Sequence, residues 1–282
     1  EQIDIGGPSL IRAAAKNHTF STIVTRSEQY SQVLDQLVQD GSTTPKLRRQ
    51  LAEEAFVRTA TYDAAIVRYF QSQSEESDFP QNITITLQKK STLRYGENPH
   101  QPAALYANPS VRSASLLSAR QLNGKELSYN NLLDLDAALL AARSFSEPAA
   151  IVIKHTNPCG AAVASELDVA MRRALDGDPV SAFGSIIGLN RTLDTATAEI
   201  LCEPGRFIEA IVAPDYEAAA IDLLTTKPKW KNNVRLMQVE HLCETSSQIA
   251  LRQLEGGFLA QAADTRSDPA SQFDCVTDGV PP

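Results

Sequence analysis

The first part of the chain has the spacing of apolar residues that is typical of helices. Leu47, Leu51 and Ala55, for example, are separated by steps of four residues. Helix starts are indicated by Pro8-Ser9 and by Thr44-Pro45, because proline is favoured in the first turn. The pattern predicts helices at residues 8–17, 27–39 and 45–71, and a short strand at residues 20–25.

After Pro80 the pattern changes to alternating strands and helices. The polar segment 71–78 before it predicts a domain boundary, with one domain at residues 1–78 and a second at 79–282. The alternation predicts an α/β layer fold whose strands are at least partly parallel. Strands are predicted at residues 83–87, 149–153, 185–189, 208–212 and 234–237, and helices at 132–145, 167–175, 195–201 and 218–224.

Composition narrows the class of protein. A length of 282 residues allows two domains at about 100–200 residues each, and no apolar run approaches the roughly 20 residues of a membrane helix. A net charge of −8 disfavours a nucleic-acid surface. The four cysteines form no CxxC pair, and no secretory signal is visible. We therefore expect a cytoplasmic protein without a metal site, a membrane partner or a nucleic-acid partner.

The ends of the sequence suggest a fragment. Residue 1 is Glu, and the opening segment 1–7 has the pattern of a strand end that enters a turn. The closing segment 278–282 (DGVPP) is typical of a linker. We expect that both ends are cut.

The richest candidate site is residues 151–160 (IVIKHTNPCG), where a buried strand runs into Lys154-His155 and then into a turn of Asn, Pro and Gly. Ligands of open α/β sheets gather at the carboxyl ends of strands, where a lysine can supply a cation and a histidine a proton acceptor. The neighbouring ammonium favours a neutral imidazole. Adjacent strand residues face opposite sides, so both side chains reach one substrate only if the strand ends or bulges there. A solvent-exposed Lys154 beside a His155 that caps a turn fits the pattern equally well.

Three further segments carry weaker signals. Residues 93–101 (LRYGENPHQ) place Arg94 beside Tyr95 in a turn that suits phosphate binding or a structural loop. Residues 4–7 (DIGG) lead into a helix whose N–H groups can bind an anion. In residues 181–184 (SAFG), Gly184 allows close approach of a ligand or serves a packing turn.

Taken together, these segments carry a resemblance. Residues 93–101, 121–131 (QLNGKELSYNN), 154–160 (KHTNPCG), 181–184 and 211–214 (IVAP) stand in the order and spacing of the folate-dependent formyltransferase half of bifunctional purine biosynthesis proteins. Residues 3–18 (IDIGGPSLIRAAAKNH) resemble the closing part of the inosine monophosphate (IMP) cyclohydrolase half. The resemblance implies the end of a Rossmann-like, methylglyoxal-synthase-like domain, followed by the first part of a cytidine-deaminase-like α/β domain.

The resemblance also implies two reactions. The 5-amino group of aminoimidazole carboxamide ribotide (AICAR) takes a formyl group from 10-formyltetrahydrofolate, and formyl-AICAR then closes its ring to IMP. In this reading His155 accepts the proton during formyl transfer, and Lys154 is its basic partner at the formyl group. Arg94 and Tyr95 hold the nucleotide, and Gly184 contacts it through the backbone.

Four more residues match the family's sites. Glu209 falls where some members carry an aspartate that contacts substrate. On the cyclohydrolase side, Asp4 and Ile5 match nucleotide contacts and Lys16 matches the lysine of proton transfer. Family members are homodimers with formyltransferase sites between subunits, and both halves extend beyond this sequence. The chain is therefore expected to hold half of each site.

Two other readings stay open. One is a nucleotide-directed hydrolase or deaminase that uses His155 as a base; zinc deaminases, however, require H-x-E and P-C-x-x-C, and Pro158-Cys159-Gly160 lacks the second cysteine. The other is a non-catalytic module for nucleotide binding or dimerisation. Nucleotide binding without turnover would favour the second.

Overall fold

The computed structural model describes residues 2–73, 79–109, 114–240 and 249–264. Contacts between residues divide the chain into two compact units, Glu1–Thr86 and Leu87–Pro282. The boundary predicted after residue 78 falls outside the described residues, so the assignment of domains at residues 1–78 and 79–282 stays a prediction.

The described part of the first unit contains three helices, which confirms the helices predicted there. Thr44 accepts a hydrogen bond from the Leu47 amide at 3.3 Å, and Pro45 occupies the first turn of the longest helix. Ala15, Ala52 and Ala55 are buried together where the first and third helices pack closely. The elements are α1 (Gly6–Lys16), a 3₁₀ turn (Ser27–Gln29), α2 (Tyr30–Asp40) and α3 (Pro45–Ser72).

The strand predicted at residues 20–25 is wrong. This segment forms no strand, and Phe20 is 84% exposed. The Thr25 amide donates to the Gln29 side chain at 2.9 Å, and the hydroxyls of Thr22 and Thr43 lie 2.7 Å apart. Hydrogen bonds from side chains therefore satisfy polar groups of this extended segment. A run rich in β-branched residues forms a strand only when a neighbouring strand pairs with it.

The second unit is built on a six-stranded mixed sheet, which confirms the α/β class and the partly parallel strands. Its order is β3-β8-β7-β6-β4-β5; β6, β7 and β8 are parallel, while β4 is antiparallel to both β5 and β6. The strands are β3 (Arg120–Asn123), β4 (Ala149–Lys154), β5 (Asn157–Val163), β6 (Ser185–Leu189), β7 (Ile208–Ala213) and β8 (Arg235–Gln238).

Helices cover both faces of this sheet. Ile151 and Ile153 of β4 pack in one cluster with α4, whereas Ala150 and Val152 pack on the other face with α5 and α6. This alternation explains why β4 reads as a continuous apolar run, because both of its faces are buried. The helices are α4 (Tyr129–Arg143), α5 (Leu167–Gly177), α6 (Thr195–Leu201) and α7 (Ala218–Thr226), with a 3₁₀ turn at Leu116–Ser118.

Two small antiparallel pairs complete the second unit: β1 (Gln88–Leu93) with β2 (Ala103–Ala107), and β9 (Ala250–Leu254) with β10 (Gly257–Gln261). The strand predicted at residues 83–87 is wrong, since the ladder begins only at Gln88. Ile83, Ile85 and Leu87 alternate with polar residues, yet each remains about half exposed, at 48%, 45% and 52%. Alternation alone did not provide the neighbouring strand that a ladder requires.

Candidate active site

The segment that carries Lys154 and His155 is a tight β-hairpin. Lys154, the last residue of β4, pairs with Asn157, the first residue of β5, so His155 and Thr156 form a two-residue loop. Both have positive φ, 51° for His155 and 64° for Thr156. Positive φ at both central residues is the requirement of a type I′ hairpin turn. The strand ends where the sequence argument required it to end.

This geometry corrects the sequence prediction in two ways. Asn157-Pro158-Cys159-Gly160 was predicted as the turn but belongs to β5, an edge strand, where a proline is tolerated. In addition, Lys154 lies at the carboxyl end of β4, but β4 is antiparallel to β6. The candidate site therefore lies at the amino ends of the parallel strands, not at their carboxyl ends.

The hairpin turn is held by hydrogen bonds at both of its ends. The Thr156 amide donates to Asp134 Oδ1 of α4 at 2.7 Å. The Thr156 hydroxyl and the Asn157 side-chain amide both donate to the His155 carbonyl oxygen, at 2.7 and 3.0 Å. His155 itself is exposed. The backbone of the turn is thus fixed while its imidazole faces solvent.

Lys154 is directed to the segment before β6. Its Nζ donates to the carbonyl oxygens of Phe183 at 2.8 Å and Gly184 at 3.3 Å. Two sequence segments thirty residues apart thereby meet. Three of the predicted site residues, Lys154, His155 and Gly184, lie at the same end of the strands β4 and β6. An ammonium has three N–H donors, so two carbonyl acceptors leave one N–H for a substrate oxygen.

The segment that receives Lys154 is itself well fixed. Asp178 accepts hydrogen bonds from the Ser181 amide at 3.0 Å and from its hydroxyl at 2.6 Å, and these bonds hold the pKa of the Asp178 carboxyl below its ordinary value. Gly184 has φ +72° and donates its amide to the Phe207 carbonyl at 2.7 Å. Positive φ explains why glycine stands at this position.

Glu209 lies near the start of β7 and faces a cation that the sequence reading missed. Its Oε1 is 3.6 Å from Nη1 of Arg235, whose side chain is 13% exposed against 41% for Glu209. Glu209 falls at a register irregularity, because Ser185 pairs with Ile208 and Ile186 with Ala210. Arg235 gave no signal in the sequence, since it stands in a predicted strand without a motif around it.

Arg94 and Tyr95 form a compact pair in the loop between β1 and β2. The guanidinium lies 4.7 Å from the Tyr95 ring centre and donates to its hydroxyl at 2.7 Å. Hydrogen bonds within the loop, including one of 2.7 Å from the Gly96 amide to the Gln101 carbonyl, shape the turn. Among the described residues, no hydrogen bond joins this pair to Lys154 or His155.

In the first unit the predicted residues lie at opposite ends of one helix. Asp4 accepts a hydrogen bond from the Gly7 amide at 3.0 Å, at the start of α1, and Ile5 is 70% exposed. Lys16 is exposed in the last turn of α1. At 1.5 Å per residue, the helix is roughly 15 Å long from Gly6 to Lys16, and Asp4 lies two residues before it. The two side chains therefore do not share one contact, and they could reach only different parts of a ligand.

Two structural observations concern metals and membranes. Among the residues described, histidine, cysteine and acidic side chains nowhere cluster in threes around a possible metal position. Within the same residues, no helix combines the length and the apolar character needed to cross a bilayer.

Comparison with known proteins gives one consistent result. The sequence profile of the AICARFT/IMPCHase bienzyme family matches residues 14–282. Curated relatives named bifunctional purine biosynthesis protein PurH include those of Rhodopirellula baltica (61% identity over 278 residues, 99% of this chain and 53% of the relative), Bacillus mycoides (45% over 267 residues, 95% and 51%) and Oceanobacillus iheyensis (42% over 281 residues, 100% and 54%).

The chain spans about half the length of the curated relatives it matches. The match includes both segments that meet at Lys154, as well as the loop of Arg94 and Tyr95. On the extent of the profile match and the identity to these relatives, the chain belongs to the AICARFT/IMPCHase bienzyme family.

Proposed function

We propose that the protein to which this chain belongs catalyses the last two steps of purine nucleotide synthesis. It transfers a formyl group from 10-formyltetrahydrofolate to the 5-amino group of AICAR and then closes the ring of the product to IMP. The proposal rests chiefly on the 2.8 Å hydrogen bond from Lys154 Nζ to the Phe183 carbonyl, which joins the family segments KHTNPCG and SAFG beside the exposed His155.

For formyl transfer, we assign His155 as general base and Lys154 as the cation at the formyl oxygen. The aromatic amine is a poor nucleophile, so His155 takes its proton as the nitrogen attacks the formyl carbon. The resulting oxyanion is stabilised by the Lys154 ammonium, whose position is set by the Phe183 carbonyl. The intermediate then releases the folate nitrogen, which takes a proton, and the formyl group remains on the AICAR amine.

The remaining assignments concern binding. Arg94 and Tyr95 hold the AICAR nucleotide, and their stacked geometry presents guanidinium N–H groups to a phosphate. Gly184 contributes a backbone contact. Glu209 contacts substrate, and Arg235, whose Nη1 lies 3.6 Å from Glu209 Oε1, positions it for that role.

For ring closure, Asp4 and Ile5 contact the nucleotide and Lys16 transfers the proton when water leaves. The last turn of α1 supports a cationic Lys16, because the helix dipole favours positive charge there. The proposed architecture is a Rossmann-like, methylglyoxal-synthase-like domain at residues 1–78 and a cytidine-deaminase-like formyltransferase domain at 79–282. The assembly is a cytoplasmic homodimer that acts on AICAR, formyl-AICAR and folate, with no catalytic metal and no nucleic-acid or membrane partner.

The test uses a hybrid enzyme, in which this chain replaces the matching segment of the Rhodopirellula baltica relative, about 53% of its length. Formyl transfer is followed as tetrahydrofolate release, and ring closure is followed separately with formyl-AICAR. His155→Ala is expected to lower formyl transfer about 100-fold or more, the usual contribution of a general base, and to leave ring closure intact. Lys16→Ala is expected to show the reverse.

Each variant serves as the control for the other. Near-normal formyl transfer in His155→Ala would overturn the role of the histidine, and loss of both activities in Lys16→Ala would overturn the role of the lysine. Calorimetric titration of the chain itself with AICAR separates catalysis from binding. Saturable binding in the chain together with a hybrid that turns over neither substrate would indicate a non-catalytic nucleotide-binding module.

A further inference from the structure

Asp134 is a half-buried carboxylate that none of the sequence motifs assigned to the site. It lies on α4, and its Oδ1 accepts the Thr156 amide at 2.7 Å. The next residue, Leu135, is fully buried in the cluster that also contains Ile153 of β4. The Asp134 carboxylate therefore lies on a helix, α4, that packs against β4, the strand that leads into the His155-Thr156 turn.

The backbone that Asp134 contacts is disfavoured by its own sequence. His155 and Thr156 have φ of 51° and 64°, and neither is glycine. A two-residue hairpin of this kind prefers Asn-Gly, and a β-branched threonine is particularly unfavourable at positive φ. Such strained residues persist where the surrounding structure holds them, and they gather at functional sites.

The hydrogen bonds of the turn divide into two sets. The Thr156 hydroxyl and the Asn157 amide, which bond to the His155 carbonyl, belong to the hairpin itself and move with it. The bond from the Thr156 amide to Asp134 is, among the described residues, the hydrogen bond that ties this turn to a different element. A bond to an ionised carboxylate is also stronger than one between neutral groups.

We propose that Asp134 is a positioning residue for formyl transfer: it holds the His155-Thr156 turn and thereby fixes the His155 imidazole against the AICAR amine. This inference rests on the proposed function. Asp134 acts through the backbone and not on substrate, because the oxygen that faces the turn is occupied by the Thr156 amide. Without it, the turn relaxes toward negative φ and carries the imidazole away from its position.

The first experiment measures both activities of the hybrid enzyme with Asp134→Ala. We expect kcat for formyl transfer to fall about 10- to 100-fold, as displacements of about 1 Å do, with the KM for AICAR changed less than about threefold. Ring closure is expected to remain unchanged, and the retained KM for AICAR reports that the second unit is folded. Asp168→Ala, which removes another half-buried helical aspartate from the first turn of α5, is the matched control and should leave formyl transfer intact.

The decisive variant is Asp134→Ala combined with Thr156→Gly. Glycine adopts positive φ without strain, so the turn no longer needs the carboxylate. We expect the double variant to recover most of the formyl transfer that Asp134→Ala loses. A direct catalytic role of the carboxylate, or a role in stability alone, predicts no such recovery, and its absence would overturn the inference.

A second measurement on the chain itself needs no activity. Amide exchange by ¹H–¹⁵N NMR should show the Thr156 amide exchanging at least about tenfold faster in Asp134→Ala, with the paired amides of β4 and β6 unchanged. Unchanged exchange at Thr156 would overturn the inference. The two proposals fail differently: a hybrid whose formyl transfer does not depend on His155 contradicts the proposed function, whereas transfer that depends on His155 but not on Asp134 contradicts this inference alone.

Discussion

The two candidate sites of this chain are organised differently. In the second unit, Lys154 reaches the Phe183 and Gly184 carbonyls, so side chains from distant parts of the sequence are in contact before any ligand arrives. In the first unit, Asp4 lies just before α1 and Lys16 lies in its last turn, so that a helix roughly 15 Å long separates them. Asp4 is bonded to the start of its own helix, and Lys16 is exposed in the last turn.

This difference separates a preorganised site from one that a ligand must bridge. The position of Lys154 depends on the sheet, because β4 and β6 must pair before the ammonium meets the segment 181–184. Asp4 and Lys16 are positioned by α1 and by its packing on α3, where the Asp4 amide donates to the Tyr62 hydroxyl at 2.7 Å. The Asp4 carboxylate itself accepts the Gly7 amide at the start of α1. Substitutions where β4 meets β6 should therefore affect formyl transfer strongly, whereas ring closure should respond mainly to changes in α1 and in its packing on α3.

Among the substitutions that test this difference between the units, Gly184→Ala has the largest expected effect. Its φ of +72° is unfavourable for alanine by about 1–2 kcal/mol, and the new Cβ would lie 3.3 Å from the Phe207 ring and 3.4 Å from Lys154 Nζ. We expect formyl transfer of the hybrid enzyme to fall about tenfold while ring closure is retained. Both rates are measured with saturating substrates, and unfolding in urea gives the change in stability.

Gly205→Ala is the matched control for this substitution. Gly205 has φ +86°, but a Cβ there would meet no atom within 4 Å. It should lower the free energy of unfolding by a similar amount and leave formyl transfer unchanged. Equal loss of activity in both variants would mean that backbone strain, and not the contact with Lys154, explains the effect, and it would weaken the picture of a preorganised site.

A smaller effect is expected in the first unit from Gly7→Ala. A Cβ at Gly7 would clash with Asp4 Oδ2, so the carboxylate must rotate and lose the 3.0 Å hydrogen bond that its Oδ1 accepts from the Gly7 amide. We expect ring closure to fall about three- to tenfold, as for the loss of about 1 kcal/mol from one hydrogen bond, with formyl transfer unchanged. The readout is the rate of IMP formation from formyl-AICAR in the hybrid enzyme.

Gly6→Ala tests whether the contact with Asp4 is the cause. A Cβ at Gly6 meets nothing within 4 Å, and alanine in a helix is favoured over glycine by about 0.5–1 kcal/mol. This neighbouring substitution should therefore raise the melting temperature and retain the bond between Asp4 and Gly7. If both variants lose ring closure equally, Asp4 has no specific role in the site.

Much of the fold was predictable because its signals are local. The strand at Ser185–Leu189 and the helix at Thr195–Leu201 are predicted at their observed bounds. The structure shows why local residues suffice: the strand is an apolar run buried throughout, and Asp194 accepts the Thr197 amide at 2.7 Å at the start of the helix. β5 was missed, because Pro158 and Gly160 are typical of turns and only the pairing with β4 makes this segment a strand. Pairing is a property of the whole sheet.

The candidate site divides in the same way. The motif around Lys154 and His155 was recognisable from its residue types. The positive φ of the His155-Thr156 turn was not predictable, because residues other than glycine, and β-branched threonine in particular, seldom adopt positive φ. Asp134 and Arg235 were missed for a related reason. Their partners, the Thr156 amide and Glu209, lie 22 and 26 residues away, so neither contact leaves a local pattern.

The smallest expected effect is a change in the free energy of unfolding with pH, measured for one carboxylate in each unit. Glu203 of the second unit accepts Nη2 of Arg172 and of Arg206, each at 2.7 Å, and these bonds lower its pKa to about 2 from an ordinary value of 4.5. In the first unit, the pKa of Glu54 is lowered chiefly by a hydrogen bond from Gln50, with further bonds from Gln29 and Arg26. Each unit thus contains at least one carboxylate whose ionised form is favoured by folding.

The direction of the pH effect follows from the lowered pKa. A carboxylate of this kind stabilises the folded state fully above pH 4.5, and its contribution is lost as the pH falls from 4.5 toward 2. Because the Glu203 side chain is 37% exposed, solvent screening limits the contribution to less than about 1 kcal/mol. Glu203→Gln should therefore destabilise the chain slightly in urea at pH 7, and the difference should shrink at pH 4 and again at pH 3, with Glu54→Gln as the matched variant in the first unit. A difference that is constant with pH would show that Glu203 acts through packing and not through its charge, and acid would then not distinguish the ion pairs of the two units.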